Sequence, residues 1–270
     1  MAEAIQASAV EGENLTRETP DGDQRPRDAE RGPSVFSLQL ATLRPSDPIR
    51  WLQLGWQDFQ RCPRIGLFYG LCFFAMGHAL LAVFQNAPAY VLALSAGFLL
   101  MGPFLCLGLY DASKAMQTHD HRPSLRASLQ AWQPTKGTMG IFAGVLLILE
   151  LLWGRASLVV FAVTFNTMPD TQNLVRQLLS FQNIEFLITW TVVGAVFAGL
   201  IFVTSVISIP MILDRQTDAI SAGLTSIRAC LQNPGVMLWW GLLIALLVGL
   251  AMLPWFAGLL VIGPVVGHAT

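Results

Sequence analysis

The sequence predicts an all-α protein that crosses a membrane several times. Hydrophobic residues make up 54% of the chain and charged residues only 12%, about half the charged fraction of a soluble domain. The mean hydropathy is +0.55. Apolar runs of about 20 residues recur along the chain, and each is long enough for a helix to cross a hydrocarbon core of about 30 Å. These observations exclude an ordinary soluble enzyme.

Residues 1–40 predict a disordered cytoplasmic tail that precedes a membrane domain over residues 41–270. Eight acidic and four basic residues stand in this segment, with almost no large apolar side chain before Val35. Such a segment cannot bury enough apolar surface to offset the entropy cost of ordering it. It also lacks the basic start and apolar core of a signal peptide. We therefore expect the first membrane helix to act as the insertion signal.

Six transmembrane helices are predicted from the apolar runs. Pro63, Pro134 and Pro234 are junctions that end an amphipathic segment before three of these helices, because proline breaks a helix. The predicted ranges are 65–84, 89–110, 138–161, 186–213, 236–252 and 255–267. The last of these helices is short.

Each of those three prolines follows an amphipathic segment. Apolar side chains in these segments recur at steps of three and four residues, which is the spacing of one helix face. The apolar sets are Trp51, Leu52, Trp56 and Phe59, then Leu125, Leu129 and Trp132, and finally Ile220, Leu224, Ile227 and Leu231. Such helices are suited to lying in the lipid headgroup region.

The chain is predicted to contain three repeats of an amphipathic helix followed by a transmembrane hairpin. The run that ends at Gly102 and Pro103 returns near the end of the sequence at Gly263 and Pro264, and Pro210 takes the matching place in the middle unit. Chance recurrence of prolines in apolar sequence is the alternative. A proline kinks a membrane helix, and a preceding glycine permits close approach by a neighbour. If the units repeat, the two Gly-Pro steps lie at similar depths and face the protein interior.

Basic residues predict the orientation in the membrane. Eight arginines precede the first predicted helix, whereas Arg176 is the one basic residue in the segments predicted to lie on the opposite side. Because short cytoplasmic loops are enriched in Lys and Arg, both termini and all three amphipathic segments are expected on the cytoplasmic face.

Glu150 and Arg155 are the most costly residues within the predicted spans, since a charge near the middle of a membrane costs several kcal/mol unless it is paired or reaches water. Five helical steps place them about 140° apart, so direct pairing is not expected. Glu150 is expected to be neutral, to line a polar cavity or to meet a partner, and Arg155 to reach the outer surface. A transport or proton role is the alternative to these structural roles.

Small residues four apart favour tight helix packing. Examples are Gly66 with Gly70 and Gly140 with Gly144. Such ridges let helix backbones approach each other in lipid. Internal packing is the simpler interpretation, and an interface with another membrane protein is the alternative.

No cofactor, metal or catalytic site is predicted. His78 and His268 lie where membrane proteins ligate haem, but a lone histidine in a membrane helix is more often a hydrogen-bonded packing residue. His119 and His121 are too few for a metal site, and the four cysteines lack the spacing of a zinc site. No Ser/His/Asp or Cys/His constellation can be assembled from the sequence. A net charge of −1 argues against a nucleic-acid partner.

The run from Gly102 to Asp111, together with Trp51–Leu52, Gly55–Phe59, Ala222–Leu224, Asn233–Pro234 and Gly263–Pro264, resembles a family of bacterial integral membrane proteins of unknown function. The resemblance covers about residues 51–270. Some members are labelled putative cytochrome c oxidase proteins, which implies a respiratory association but no residue-level role.

The leading functional hypothesis is therefore a non-catalytic accessory or assembly subunit of a larger respiratory-type membrane complex. Its partners are membrane lipids and other membrane subunits. The resemblance implies the bacterial cytoplasmic membrane as its location. A small-solute transporter or lipid-handling protein is the alternative, because internal repeats and broken helices are typical of transporters. An oxidoreductase subunit that binds its own haem is a third hypothesis.

Overall fold

Helices account for every regular element that the structure, a computed structural model, describes; it covers residues 42–86, 91–118, 123–164 and 184–269. The predicted tail, residues 1–40, lies outside these ranges. In chain order the helices are α1 (Asp47–Arg61), α2 (Pro63–Asn86), α3 (Val91–Thr118), α4 (Leu125–Gln130), α5 (Lys136–Thr164), α6 (Ile184–Ser205), α7 (Ser208–Arg215), α8 (Ala219–Gln232), α9 (Pro234–Met252) and α10 (Leu259–Ala269).

Four stretches of the described chain are long and apolar enough to cross a membrane: Pro63–Asn86, Leu125–Thr164, Ile184–Arg215 and Pro234–Met252. The first and last of these begin at prolines that the sequence analysis identified as junctions. The all-α prediction is confirmed for the described residues. Spans formed by α3 and α10, which would complete the predicted six, stay predictions.

The last helix begins later than predicted. Trp255 and Phe256 have φ values of 52° and 62°, a left-handed conformation that is costly for residues other than glycine. A right-handed helix cannot run through these two residues, so the predicted start at Trp255 is wrong and α10 begins at Leu259. Its 11 residues span about 16 Å, roughly half of a hydrocarbon core.

Glycines let α10 pack closely against α1 and α2. A methyl group at Gly55 of α1 would overlap the Val265 carbonyl oxygen, and one at Gly70 of α2 would overlap the Leu260 carbonyl oxygen. Pro264 has no N–H to offer the Leu260 carbonyl four residues earlier. The Gly70 backbone therefore packs over a carbonyl that α10 itself leaves without its usual donor.

The two Gly-Pro steps are not equivalent. A Cβ atom at Gly263 would lie 2.8 Å from Phe73, whereas no described atom lies within 4 Å of a Cβ at Gly102. Ser113 of α3 and His268 of α10 are hydrogen-bonded and mark a common level. Along the helices, Gly102 lies about 16 Å from that level and Gly263 about 8 Å. The two glycines therefore differ in their described surroundings, while their equivalent depth and the three-unit repeat stay predictions.

The three predicted amphipathic segments form α1, α4 and α8. Trp51 of α1 points inward and meets Trp240 of α9 edge to face, with ring centroids 5.4 Å apart. In α8 the buried face consists of small residues such as Ala222 and Ala229, because the neighbouring helix backbones come close there. The apolar side chains of α8 point away from the protein, with Ile220 72% exposed. These helices thus combine a docked face with an apolar outer face.

Replacing Gly70 with alanine is expected to destabilise the fold, by about 1–3 kcal/mol, because the new methyl group overlaps the Leu260 carbonyl. Gly102→Ala is the matched control. It adds a methyl group to open space and should be neutral or stabilising by up to about 1 kcal/mol, since alanine favours helix. Thermal unfolding in detergent micelles measures both. Equal losses in the two variants would contradict the close packing of α10 on α2.

Candidate functional site: a polar cluster beneath the last helix

Four polar side chains from distant parts of the chain meet in one buried cluster. Asp58 lies in the last turn of α1, Cys62 between α1 and α2, Ser113 in α3 and His268 near the end of α10. Each of the four is at most 9% exposed. We call these residues the α10 polar cluster.

Hydrogen bonds connect the α10 polar cluster in a defined order. The Nδ1 atom of His268 lies 2.7 Å from the Ser113 hydroxyl, and that hydroxyl is hydrogen-bonded to the Asp58 carboxyl. The Ser113 hydroxyl thus lies between the imidazole and the carboxyl group, and it can both donate and accept. On the other side of the ring, the Nε2 atom of His268 lies 3.9 Å from the Cys62 sulfur.

The local sequence places these groups by simple helix geometry. Asp58 and Cys62 are four residues apart and share one helix face, and the Cys62 thiol donates to the Asp58 carbonyl at 3.1 Å. Pro63 then begins a new helix at N1. The two polar side chains are thereby fixed at the corner between α1 and α2, under the end of α10.

Burial keeps the cysteine of this cluster unreactive. It raises the pKa of the Cys62 thiol to about 11, and the nearby Asp58 charge acts in the same direction. Burial also raises the pKa of Asp58, although the Ser113 hydrogen bond and the Arg61 charge oppose this. At neutral pH the thiol is protonated, and a protonated thiol is a poor nucleophile.

The order of groups in the α10 polar cluster does not match a catalytic triad. A Ser/His/Asp triad needs the histidine between the serine and the carboxylate, so that the imidazole takes the serine proton. Here Ser113 lies between His268 and Asp58. The arrangement connects α10 to α1 and α3.

Sequence reasoning missed this cluster. The expectation that no Ser/His/Asp or Cys/His constellation can be assembled did not anticipate that Ser113 and His268 are hydrogen-bonded beside Asp58. A signal was present in the predicted topology: the start of the first hairpin, the end of its second helix and the end of the last helix all lie on the same membrane side. Polar residues at those three ends are therefore neighbours.

Glu150 is buried in the structure, whereas Arg155 is exposed. The Glu150 side chain is 5% exposed, and its Oε1 atom has no hydrogen-bond partner among the described residues. Both residues lie in the candidate span Leu125–Thr164. Arg155 is 19 positions, or about 29 Å, from the start of α5 at Lys136, which places it near the far surface of a hydrocarbon core. A functional role for the pair stays a prediction.

His78 has the environment of a packing residue. Its Nδ1 atom is hydrogen-bonded to the Phe74 carbonyl at 3.1 Å, and its ring contacts the rings of Phe74 and Phe256. Among the described residues, no group of three or more His, Cys, Asp or Glu side chains is placed to hold a metal ion. His119 and His121 lie outside the described residues, as does the side chain of Pro103.

Pro210 follows a break in the predicted fourth helix, between α6 and α7. At this break the Ile207 N–H donates to the Ser226 hydroxyl at 3.2 Å, and the same hydroxyl donates to the Val203 carbonyl at 2.7 Å. In a continuous helix Ile207 would donate to Val203 directly. The Ser226 side chain is thus inserted into the helix ladder, which is a known cause of sharp bends.

These features define an α-helical integral membrane protein in which buried polar side chains from distant helices are hydrogen-bonded to one another. Residues 91–214 match a protein family described as "Predicted integral membrane protein (DUF2189)". The match confirms the predicted resemblance to an integral membrane protein family of unknown function. Neither curated proteins nor solved structures gave a match.

Removing the Ser226 hydroxyl is expected to lower stability by about 1–3 kcal/mol, because Ser226→Ala leaves the buried Ile207 N–H and Val203 carbonyl without their bridge. Ser205→Ala is the control, since that hydroxyl only adds a second bond to the Ile201 carbonyl within the same helix. Chemical unfolding in mixed micelles compares the two variants. A larger loss for Ser205→Ala would contradict the bridging role.

Proposed function

We propose that the protein is a non-catalytic accessory or assembly subunit of a larger energy-transducing membrane complex of respiratory type. The family resemblance carries the respiratory part of this proposal. The structural support is that the polar groups freed at the helix interruptions, and those of the α10 polar cluster, are used to hold the chain together. An accessory or assembly subunit acts through the surfaces that contact its partner subunits.

The contacts made by the backbone groups at the two helix interruptions support a packing role over a transport role. Transporters with broken helices use the unwound backbone groups to coordinate ions and substrates. Here Ser226 occupies the groups at the α6–α7 break, and Gly70 covers the carbonyl opposite Pro264. The Ile207 N–H and the Val203 carbonyl at the break therefore already have a partner within the protein.

One face of α5 offers room for a partner helix. Gly137, Gly140 and Gly144 recur at steps of three and four residues, and no described atom lies within 4 Å of a Cβ at any of them. Small residues let membrane helices approach closely enough to gain dispersion contacts. We take this face as the contact site for another membrane subunit.

Copurification from native membranes in mild detergent tests the proposal. The protein is expected to migrate within a larger complex on native gels, and Gly140→Leu is expected to release it while its own unfolding temperature stays unchanged. Gly249→Leu is the control, because Gly249 of α9 also has open space around it but lies off the proposed face. A protein that migrates alone in wild-type membranes would overturn the proposal.

A small-solute transporter or lipid-handling protein is the second candidate function. The observation that favours it is the presence of two helix interruptions, the break at Val206–Ile207 and the proline at position 264 inside α10. In the copurification experiment this candidate predicts a solitary protein that carries a stoichiometric solute or lipid, identified by native mass spectrometry.

We further propose that the protein lies in the bacterial cytoplasmic membrane with both termini inside. The arginine count before α2 supports this orientation. Single cysteines placed at positions 120 and 218 are expected to be protected from an impermeant thiol reagent added to intact cells, and one at position 171 to be labelled. Labelling at 218 with protection at 171 would invert the topology.

A further inference from the structure

We propose that the outer faces of α1, α4 and α8 bind anionic phospholipids at the membrane boundary. This lipid site is independent of the proposed function and of the orientation of the chain. It rests on the exposed apolar side chains of these helices, on basic residues beside them and on their direct connection to membrane-spanning helices.

The outer faces of all three helices carry large apolar side chains that the described residues leave exposed. In α8, Ile220, Leu224 and Leu231 are 72%, 49% and 73% exposed. On α4 and in the turn after it, Leu129 and Trp132 are 46% and 47% exposed. Apolar faces of this kind on short surface helices are typical of helices that lie in a membrane interface.

A shallow groove runs along α1. It is lined by the apolar side chains of Ile49, Leu52 and Trp56 and by the side-chain amides of Gln53 and Gln57. Apolar side chains suit the start of an acyl chain, amide groups suit ester and phosphate oxygens, and tryptophan is enriched at the headgroup level. The groove therefore has the chemistry of the boundary between headgroups and acyl chains.

Exposed basic residues lie beside these faces. Arg64 is in the first turn of α2, Arg126 on α4 and Lys136 at the start of α5, and all three are exposed. The Tyr69 hydroxyl of α2 is hydrogen-bonded to Ser128 of α4 at 2.8 Å, so the first turns of α2 and the helix α4 lie at the same end of the molecule.

Acidic residues at this end are already engaged within the protein. Asp214 pairs with Lys114 at 2.5 Å, Asp58 belongs to the α10 polar cluster, and Asp47 accepts a hydrogen bond from the Arg44 backbone at 2.7 Å. Asp218 caps α8 through two backbone N–H groups, and hydrogen bonds to the side chain and backbone of Ser221 lower its pKa. Exposed basic side chains attract anionic headgroups by about 1 kcal/mol each near an anionic surface.

Chain connections hold these helices at the membrane surface. One residue, Cys62, separates α1 from α2, and one residue, Asn233, separates α8 from α9. A single 3₁₀ turn, Gln133–Thr135, connects α4 to α5. Because α2, α5 and α9 belong to candidate membrane spans, the surface helices start where those spans leave the lipid. Lipid is therefore the occupant that the geometry favours over a protein.

Tryptophan quenching by brominated lipids tests the proposal on the full-length protein in nanodiscs. Bromine placed near the headgroup of phosphatidylglycerol is expected to quench Trp56 and Trp132 more strongly than the same bromine on phosphatidylcholine. The contributions of these two residues are obtained by difference with Trp56→Phe and Trp132→Phe. Equal quenching by the two lipids would overturn the anionic preference, and no quenching of either tryptophan would overturn the lipid site itself.

Charge-removal variants identify the basic residues involved. Arg64→Gln, Arg126→Gln and Lys136→Gln are each expected to reduce the preference for phosphatidylglycerol by about fivefold at low ionic strength. Arg155→Gln is the charge-matched control at the other end of α5 and should leave the preference unchanged. An equal loss in this control would show that net charge alone is responsible. Excess soluble glycerophosphoglycerol should not relieve the quenching, and relief would indicate a phosphate site instead of a lipid surface.

Discussion

Backbone polar groups inside a membrane have no water to bond with, and this constraint explains the main contacts of the structure. Continuous helices satisfy these groups internally, but α6–α7 and α10 are interrupted by a break or a proline. The Ser226 hydroxyl replaces the missing contact at the first place, and the Gly70 backbone covers the free carbonyl at the second. The position of α8 thus follows from the backbone hydrogen bond missing at the α6–α7 break. The position of α2 follows from the N–H donor that Pro264 does not supply in α10.

The sequence predicted the elements that depend on composition and local signals. The apolar runs placed α2, α5 and α9 within two residues of their observed starts, because prolines or the ends of amphipathic segments precede them. The helix α1 was predicted because its apolar side chains recur at helical spacing. These features need no knowledge of the neighbouring helices.

Features that depend on tertiary contact could not be predicted in this way. No local signal shows that Trp255 and Phe256 adopt positive φ values, because tight packing of the turn before α10 imposes them. The Gly-Pro motif at Gly102 is identical in sequence to that at Gly263, yet Gly263 alone of the two contacts a described neighbour closely. The break at Val206–Ile207 depends on a serine about 20 residues further along the chain. Motif similarity therefore overestimated structural similarity.

The α10 polar cluster also has a consequence for biogenesis. Ser113 and His268 are separated by 155 positions, and Cys62 and His268 by 206. During synthesis, α1, α2 and α3 enter the membrane long before their partner helix exists, so Asp58 and Ser113 must wait there without the imidazole that completes their hydrogen bonds. The polar groups of the amino-terminal helices in this cluster therefore stay without one of their partners until residue 268 has been synthesised.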